Sequence, residues 1–106
     1  MRVPELRSRA SYDVESIVTY VSFVLGAPRA AEDWYAAFKE ALSLLCAQPE
    51  LGCELSDERL VLSGRRTYLV GKYRVFYSYD AEALTVWRVL HVAQDIDDYA
   101  MVDLCD

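Results

Sequence analysis

Residues 65–94, RRTYLVGKYRVFYSYDAEALTVWRVLHVAQ, carry three strand-like runs separated by short turn signals. Residues 66–70 form the first run, Gly71 marks a turn, and residues 73–79 form the second. Residues 80–83 make the hairpin connection to a third run over 84–91. Val, Tyr, Phe, Trp and Thr dominate these runs, as suits side chains on a pleated, half-buried surface. In the second run Tyr73, Val75, Tyr77 and Tyr79 share one face, and Lys72, Arg74, Phe76 and Ser78 share the other. A connection that pairs Tyr79 with Leu84 would also put Trp87, Val89 and His91 on the Arg74 face. A loop one residue different would reverse that assignment.

The period changes on the N-terminal side. Ala10, Val14, Ile17, Val18, Val21 and Leu25 follow the spacing of a helix with one buried stripe, with Ser8 or Ser11 as its cap and Gly26 as its stop. Asp13 and Glu15 suit the positive end of that helix. Pro28 sits where a first-turn proline belongs, and a second helix is expected from there to Ala47. Its stripe is Ala31, Trp34, Phe38, Ala41 and Leu45, with Tyr35 and Leu42 beside it. Two helices joined by a few residues predict an antiparallel hairpin, ended by the turn residues Pro49 and Gly52. Ahead of them, residues 1–7 contain Val3 and Leu6 around Pro4, which allows an edge strand or a broken strand. Residues 53–63 read as a loop and a short strand, and residues 94–106 as a short helix or an ordered tail. The hairpin must cover one sheet face, because neither element buries its apolar side alone. The other face, expected to carry Arg74, is left partly open and concave.

A chain of 106 residues with 54% hydrophobic side chains and a mean hydropathy of +0.05 suits a single domain over residues 1–106 with a proper core. Cys46, Cys53 and Cys105 have no CxxC spacing, and the chain has one histidine, so no metal set is expected. No cofactor is expected either. The opening MRVPELRSR lacks the apolar core of a signal peptide, and residues 17–27 are too short and too polar to span a bilayer. The expectation is a soluble, reduced, cytoplasmic protein with no membrane partner. Its net charge of −6 is unevenly spread. Residues 1–58 carry −5, residues 59–91 carry +4 and residues 92–106 carry −5. A basic meander in an acidic chain is a candidate surface for an anionic partner, although three strands with a solvated cationic face would look the same.

Ser8, Arg9, Ala10, Asp13, Ile17 and Tyr20 look like the first-helix pattern of one family. The similarity continues through Gly26, Pro28 and Ala31, the Pro49 and Gly52 turn, and Arg66 before a strand. It then runs through Tyr73, Arg74, Phe76 and Tyr77 to Val89 and His91. On these residues, in this order over almost the full length, the chain resembles the RelE/ParE toxins of bacterial type II toxin–antitoxin modules, also called plasmid stabilisation proteins. The resemblance implies an α+β fold: a short edge strand, a two-helix antiparallel hairpin and an antiparallel meander of three or four strands. It also implies a cognate antitoxin as partner and allows a homodimer.

RelE-like members are metal-independent ribonucleases that cut mRNA on the ribosome with basic side chains and a tyrosine. Such cleavage needs an activated 2′-hydroxyl, a stabilised phosphorane and a protonated leaving oxygen. By resemblance Arg74 matches the central-strand arginine of those nucleases, and Arg65 or Arg66 falls near their lysines. Tyr99 lies one residue from the expected tyrosine. Gln94 stands where a second arginine is usual, and glutamine cannot neutralise charge. Together with the absence of paired lysines and a pI of 4.7, this favours a ParE-like or diverged toxin that acts by binding, with DNA gyrase the family's usual target. The ribosome-dependent mRNA endoribonuclease is the alternative, and a degenerate toxin that only binds antitoxin is a further one. His91 is read as structural, Tyr73, Tyr77 and Tyr79 as sheet and core residues, and Trp34 and Phe38 as core.

Overall fold

The computed structural model describes residues 2–54 and 65–92. The chain opens with β1 (Val3–Leu6) and α1 (Ser8–Thr19), which widens into a π-helical turn at Tyr20–Val24. After α2 (Pro28–Ala47) and a 3-10 turn at Pro49–Leu51 come β2 (Cys53–Glu54), β3 (Arg66–Val70), β4 (Tyr73–Tyr79) and β5 (Ala83–His91). One five-stranded sheet has the order β1-β5-β4-β3-β2. The pairs from β2 to β5 are antiparallel, whereas β1 runs parallel to β5, so the sheet is mixed. Pro4 is tolerated because β1 is an edge strand. The expected tail at 94–106 and most of the segment 53–63 fall outside the described residues.

The helix hairpin packs on the Tyr73, Val75, Tyr77, Tyr79 face of β4. Ala10, Val14 and Ile17 of α1 and Phe38, Ala41, Leu42 and Leu45 of α2 meet Val75, Tyr77, Leu84, Val86 and Val89 in one core cluster, with Trp34, Tyr73 and Tyr79 packed against it. The boundaries expected for the second helix are those observed. In the first helix three expectations change. Asp13 and Glu15 lie beyond the first turn, which holds no acidic residue. No serine caps it: Arg7 is the N-cap, placed there by its N–H donating to the Val86 carbonyl of the sheet, and its guanidinium has no acceptor to offer the first helix N–H groups. Leu25, the last residue of the expected stripe, is 58% exposed. Its N–H bonds the Tyr20 carbonyl five residues back, and the wider turn breaks the 3.6-residue period that would have turned Leu25 inward. Gly26 then takes φ +64, a backbone state that ends helices at little cost only for glycine.

The hairpin pairs Tyr79 with Leu84, yet only Trp87 keeps the expected face. Tyr77 pairs with Val86 and Phe76 with Arg88, so Trp87 is the extra residue of a β-bulge. One inserted residue reverses the alternation beyond it. Val89 therefore enters the core and His91 lies against Tyr73, at 5.2 Å between ring centroids. The expectation that both would share the Arg74 face is corrected by the bulge.

Candidate functional site

The sheet face turned away from the helices carries Arg74 on β4 between Leu69 of β3 and Leu90 of β5, its cross-strand partners. Leu69 is 55% exposed, whereas Leu90 and Phe76 on the same face are buried, so the face is open only in part. Arg74 itself is half-buried and makes no hydrogen bond or ion pair among the described residues.

Arg65 and Arg66 are adjacent in sequence and diverge in space. Arg65 is buried, its guanidinium carbon 3.8 Å from the centroid of the Trp87 ring, and Arg7 lies 5.0 Å from the same ring. Trp87 is held in turn by donating its indole N–H to Ser78 Oγ at 2.8 Å. A desolvated guanidinium on an indole face contributes about 2 kcal/mol. Arg66 points the other way, into the turn after α2. Its Nη2 donates to the Gly52 carbonyl at 2.7 Å and the Glu50 carbonyl at 3.2 Å, and its Nε to Gly52 at 3.2 Å. The same turn is gripped by Tyr77, whose hydroxyl donates to the Pro49 carbonyl and accepts from the Gly52 N–H. Burial pushes the Tyr77 phenol above its usual range, so it stays the protonated donor this arrangement requires.

Of the four residues that resemblance assigns to chemistry, Arg74 and Arg65 therefore share a sheet face. Arg65 meets the register of Ser78 through Trp87, four residues along β4 from Arg74, or about 13 Å of strand. Phe76 stands between them. Arg66 is engaged elsewhere, and Tyr99 and Gln94 lie outside the described residues.

Two further groups carry structure that their sequence pattern did not specify. Asp13 reaches from α1 to β5 just where β1 stops pairing. One carboxylate oxygen accepts from Arg88 Nε at 2.7 Å and from the Val89 N–H at 3.0 Å, and the other accepts from Arg88 Nη2 at 3.2 Å. The carboxylate thus takes the place of a missing strand partner at the bulge. Its position in the first-helix pattern was the only signal for it. The second is the chain of rings Phe38, Trp34, Tyr73 and His91, in which successive centroids are 5.4, 5.4 and 5.2 Å apart. It forms because the bulge turns His91 toward the helices, which no local pattern foretells. Among the described residues no group of His, Cys, Asp and Glu could hold a metal ion, and no helix is long and apolar enough to cross a membrane.

The family model described as the ParE toxin of the type II toxin–antitoxin system, parDE, matches residues 5–96. Among solved structures, the chain is similar to one from the chromosomal ParDE toxin–antitoxin system of P. aeruginosa. The TM-score is 0.68 at 17% identity, over 86% of this chain and 96% of that one. It is also similar to a chain of the RelBE2 toxin–antitoxin complex of Mycobacterium tuberculosis, with a TM-score of 0.59 at 22% identity, over 85% and 96%. No curated protein sequence matches it.

Proposed function

The chain belongs to the ParE toxin family of type II toxin–antitoxin systems, and on that premise we propose that it acts by binding a macromolecular target such as DNA gyrase and is neutralised by a cognate antitoxin. The family match over residues 5–96 carries this reading. The arrangement of the basic residues supports binding over cleavage. Phosphodiester cleavage requires general acid, general base and charge-stabilising groups gathered around one phosphate. Here Arg66 is committed to the turn carbonyls, and Arg65 is stacked on Trp87 some way along the sheet from Arg74. Arg74 is the residue of this set best placed to meet a partner.

The antitoxin has two natural seats. One is the Arg74 side of the sheet, and the other is the groove between α1 and α2 lined by Val14, Val18, Tyr35, Phe38 and Leu42, which suits an amphipathic helix.

Induced expression is expected to slow growth, and coexpression of the neighbouring antitoxin gene to restore it. Purified protein is expected to inhibit gyrase supercoiling, with Arg74→Ala weakening the effect several-fold. Codon-specific mRNA cleavage in a translating extract, abolished by Arg74→Ala, would replace this reading with the endoribonuclease. No effect on growth would leave an antitoxin-binding fold without a toxic activity.

A further inference from the structure

At the end of the sheet where β4 begins and β5 ends, the helix hairpin leaves a cleft separate from the Arg74 face. Its floor is the ring chain described above: Trp34, Tyr73 and His91 all line it. This floor is rigid. The Trp34 indole N–H donates to the Val70 carbonyl at 3.0 Å, and Tyr73 is wedged edge-on between Trp34 and His91. Its lip is the π-helical turn, which contributes Tyr20 and Val21, followed by Leu25. Beside the lip, Phe23 is 81% exposed and Val24 67%, so the apolar surface continues outward from the cleft.

The polar character of the lining is one-sided. Among the described residues no carboxylate lines the cleft, although the chain has 17 acidic residues and a net charge of −6. The formal charge present is that of Lys72, whose backbone is fixed by a 2.9 Å bond from the Val92 N–H to its carbonyl. Ser16 and the phenols of Tyr20 and Tyr73 supply further hydroxyls. Burial, with the neighbouring Tyr20 phenol, pushes the Tyr73 phenol above its usual range and keeps it a donor.

We propose that this cleft is a peptide-docking site for an acidic segment of a partner protein, with an aromatic or aliphatic side chain seated on the Trp34 and Tyr73 rings and a carboxylate held by Lys72. A preformed floor lowers the ordering cost of such binding, and the lone cation supplies direction and register. Nucleic acid is the poorer fit, because a single lysine in an acidic protein gives little release of counterions from a phosphate backbone. The site is independent of whether gyrase or the ribosome is the toxin's target.

The test is a titration of the full chain, followed by amide and indole NMR shifts. The probes are a blocked eight-residue peptide of alternating aspartate with phenylalanine and leucine, its counterpart with lysine for each aspartate, and a short single-stranded oligonucleotide. The acidic peptide is expected to shift the Trp34 indole and Lys72 amide signals saturably below millimolar concentration. Lys72→Glu should weaken it at least tenfold and leave the thermal midpoint within a few degrees. Ser16→Glu, on the α1 part of the lining, should do the same and serves if the first variant folds poorly. Equal binding of both peptides, preference for the oligonucleotide, shifts confined to other surfaces, or no shift at millimolar peptide would each overturn the proposal.

Discussion

At the scale of single residues, the most constrained position is Gly52. A Cβ there would fall inside contact distance of the Tyr77 hydroxyl and the Thr67 carbonyl, both held in place by the surrounding sheet. The constraint is close approach, since its φ of −72 is open to any residue. Gly52→Ala is expected to cost about 2 kcal/mol or more in urea unfolding, because the overpacked site cannot relax. Tyr77→Phe keeps the ring and removes the hydroxyl, leaving the Pro49 carbonyl and Gly52 N–H without their partner. A loss of about 2 kcal/mol by the same measurement is expected. Asp80 tests a different property. Its carboxylate accepts the N–H groups of Ala83 and Glu82, both at 2.8 Å, which hold its carboxyl below the usual aspartate range. With the folded pKa lowered, its stabilisation is present above the unfolded value and is lost as pH falls through the folded one. Asp80→Ala should flatten the fall in thermal midpoint across that acid window and leave the midpoint's alkaline limb unchanged.

At the scale of elements, the decisive feature is the bulge at Trp87. It bends β5 where β1 ends and lets Asp13 of α1 serve the orphaned Val89 N–H together with Arg88. Both side chains of this ion pair are only 12% exposed, so removing one partner strands a charge in a poorly solvated place. Asp13→Ala should cost about 3 kcal/mol, and a cycle with Arg88→Ala should show strong coupling. Deleting Trp87 would join Val86 to Arg88 in the register they already hold opposite Tyr77 and Phe76, so Val89 and His91 should stay turned to the helices. The variant is expected to keep its amide dispersion while Arg65 loses the ring it stacks on. The π-helical turn is the other irregular element. By widening one turn it moves Leu25 to the surface and builds the lip of the cleft.

At the scale of the whole molecule, β4 and β5 form the spine, since β1 adds outside β5, β3 and β2 add outside β4, and the helices cover the apolar face of the pair. Native-state hydrogen exchange should be slowest at Val75, Tyr77, Val86 and Val89 and fastest through Tyr20–Val24. Much of this plan is written locally. The helical spacing of Ala31, Phe38, Ala41 and Leu45, the first-turn Pro28, the alternation in Tyr73–Tyr79 and the Asp80 turn each follow from preferences of neighbouring residues. The sequence alone therefore determined the order and bounds of α2, β3 and β4, whereas it left β1 as an edge strand or a broken one and gave the helix-facing side of β4 as an expectation that the fold bears out. Tertiary structure decided the rest. The parallel pairing of β1, the bulge that turns Val89 and His91 inward, the opposite fates of Arg65 and Arg66, and the bond from Asp13 to β5 all join segments far apart in the chain. Periodicity reports only which side chains share a face within one segment. Where that face meets a distant one, and whether an inserted residue reverses it, is set by the balance of packing and hydrogen bonds over the whole sheet.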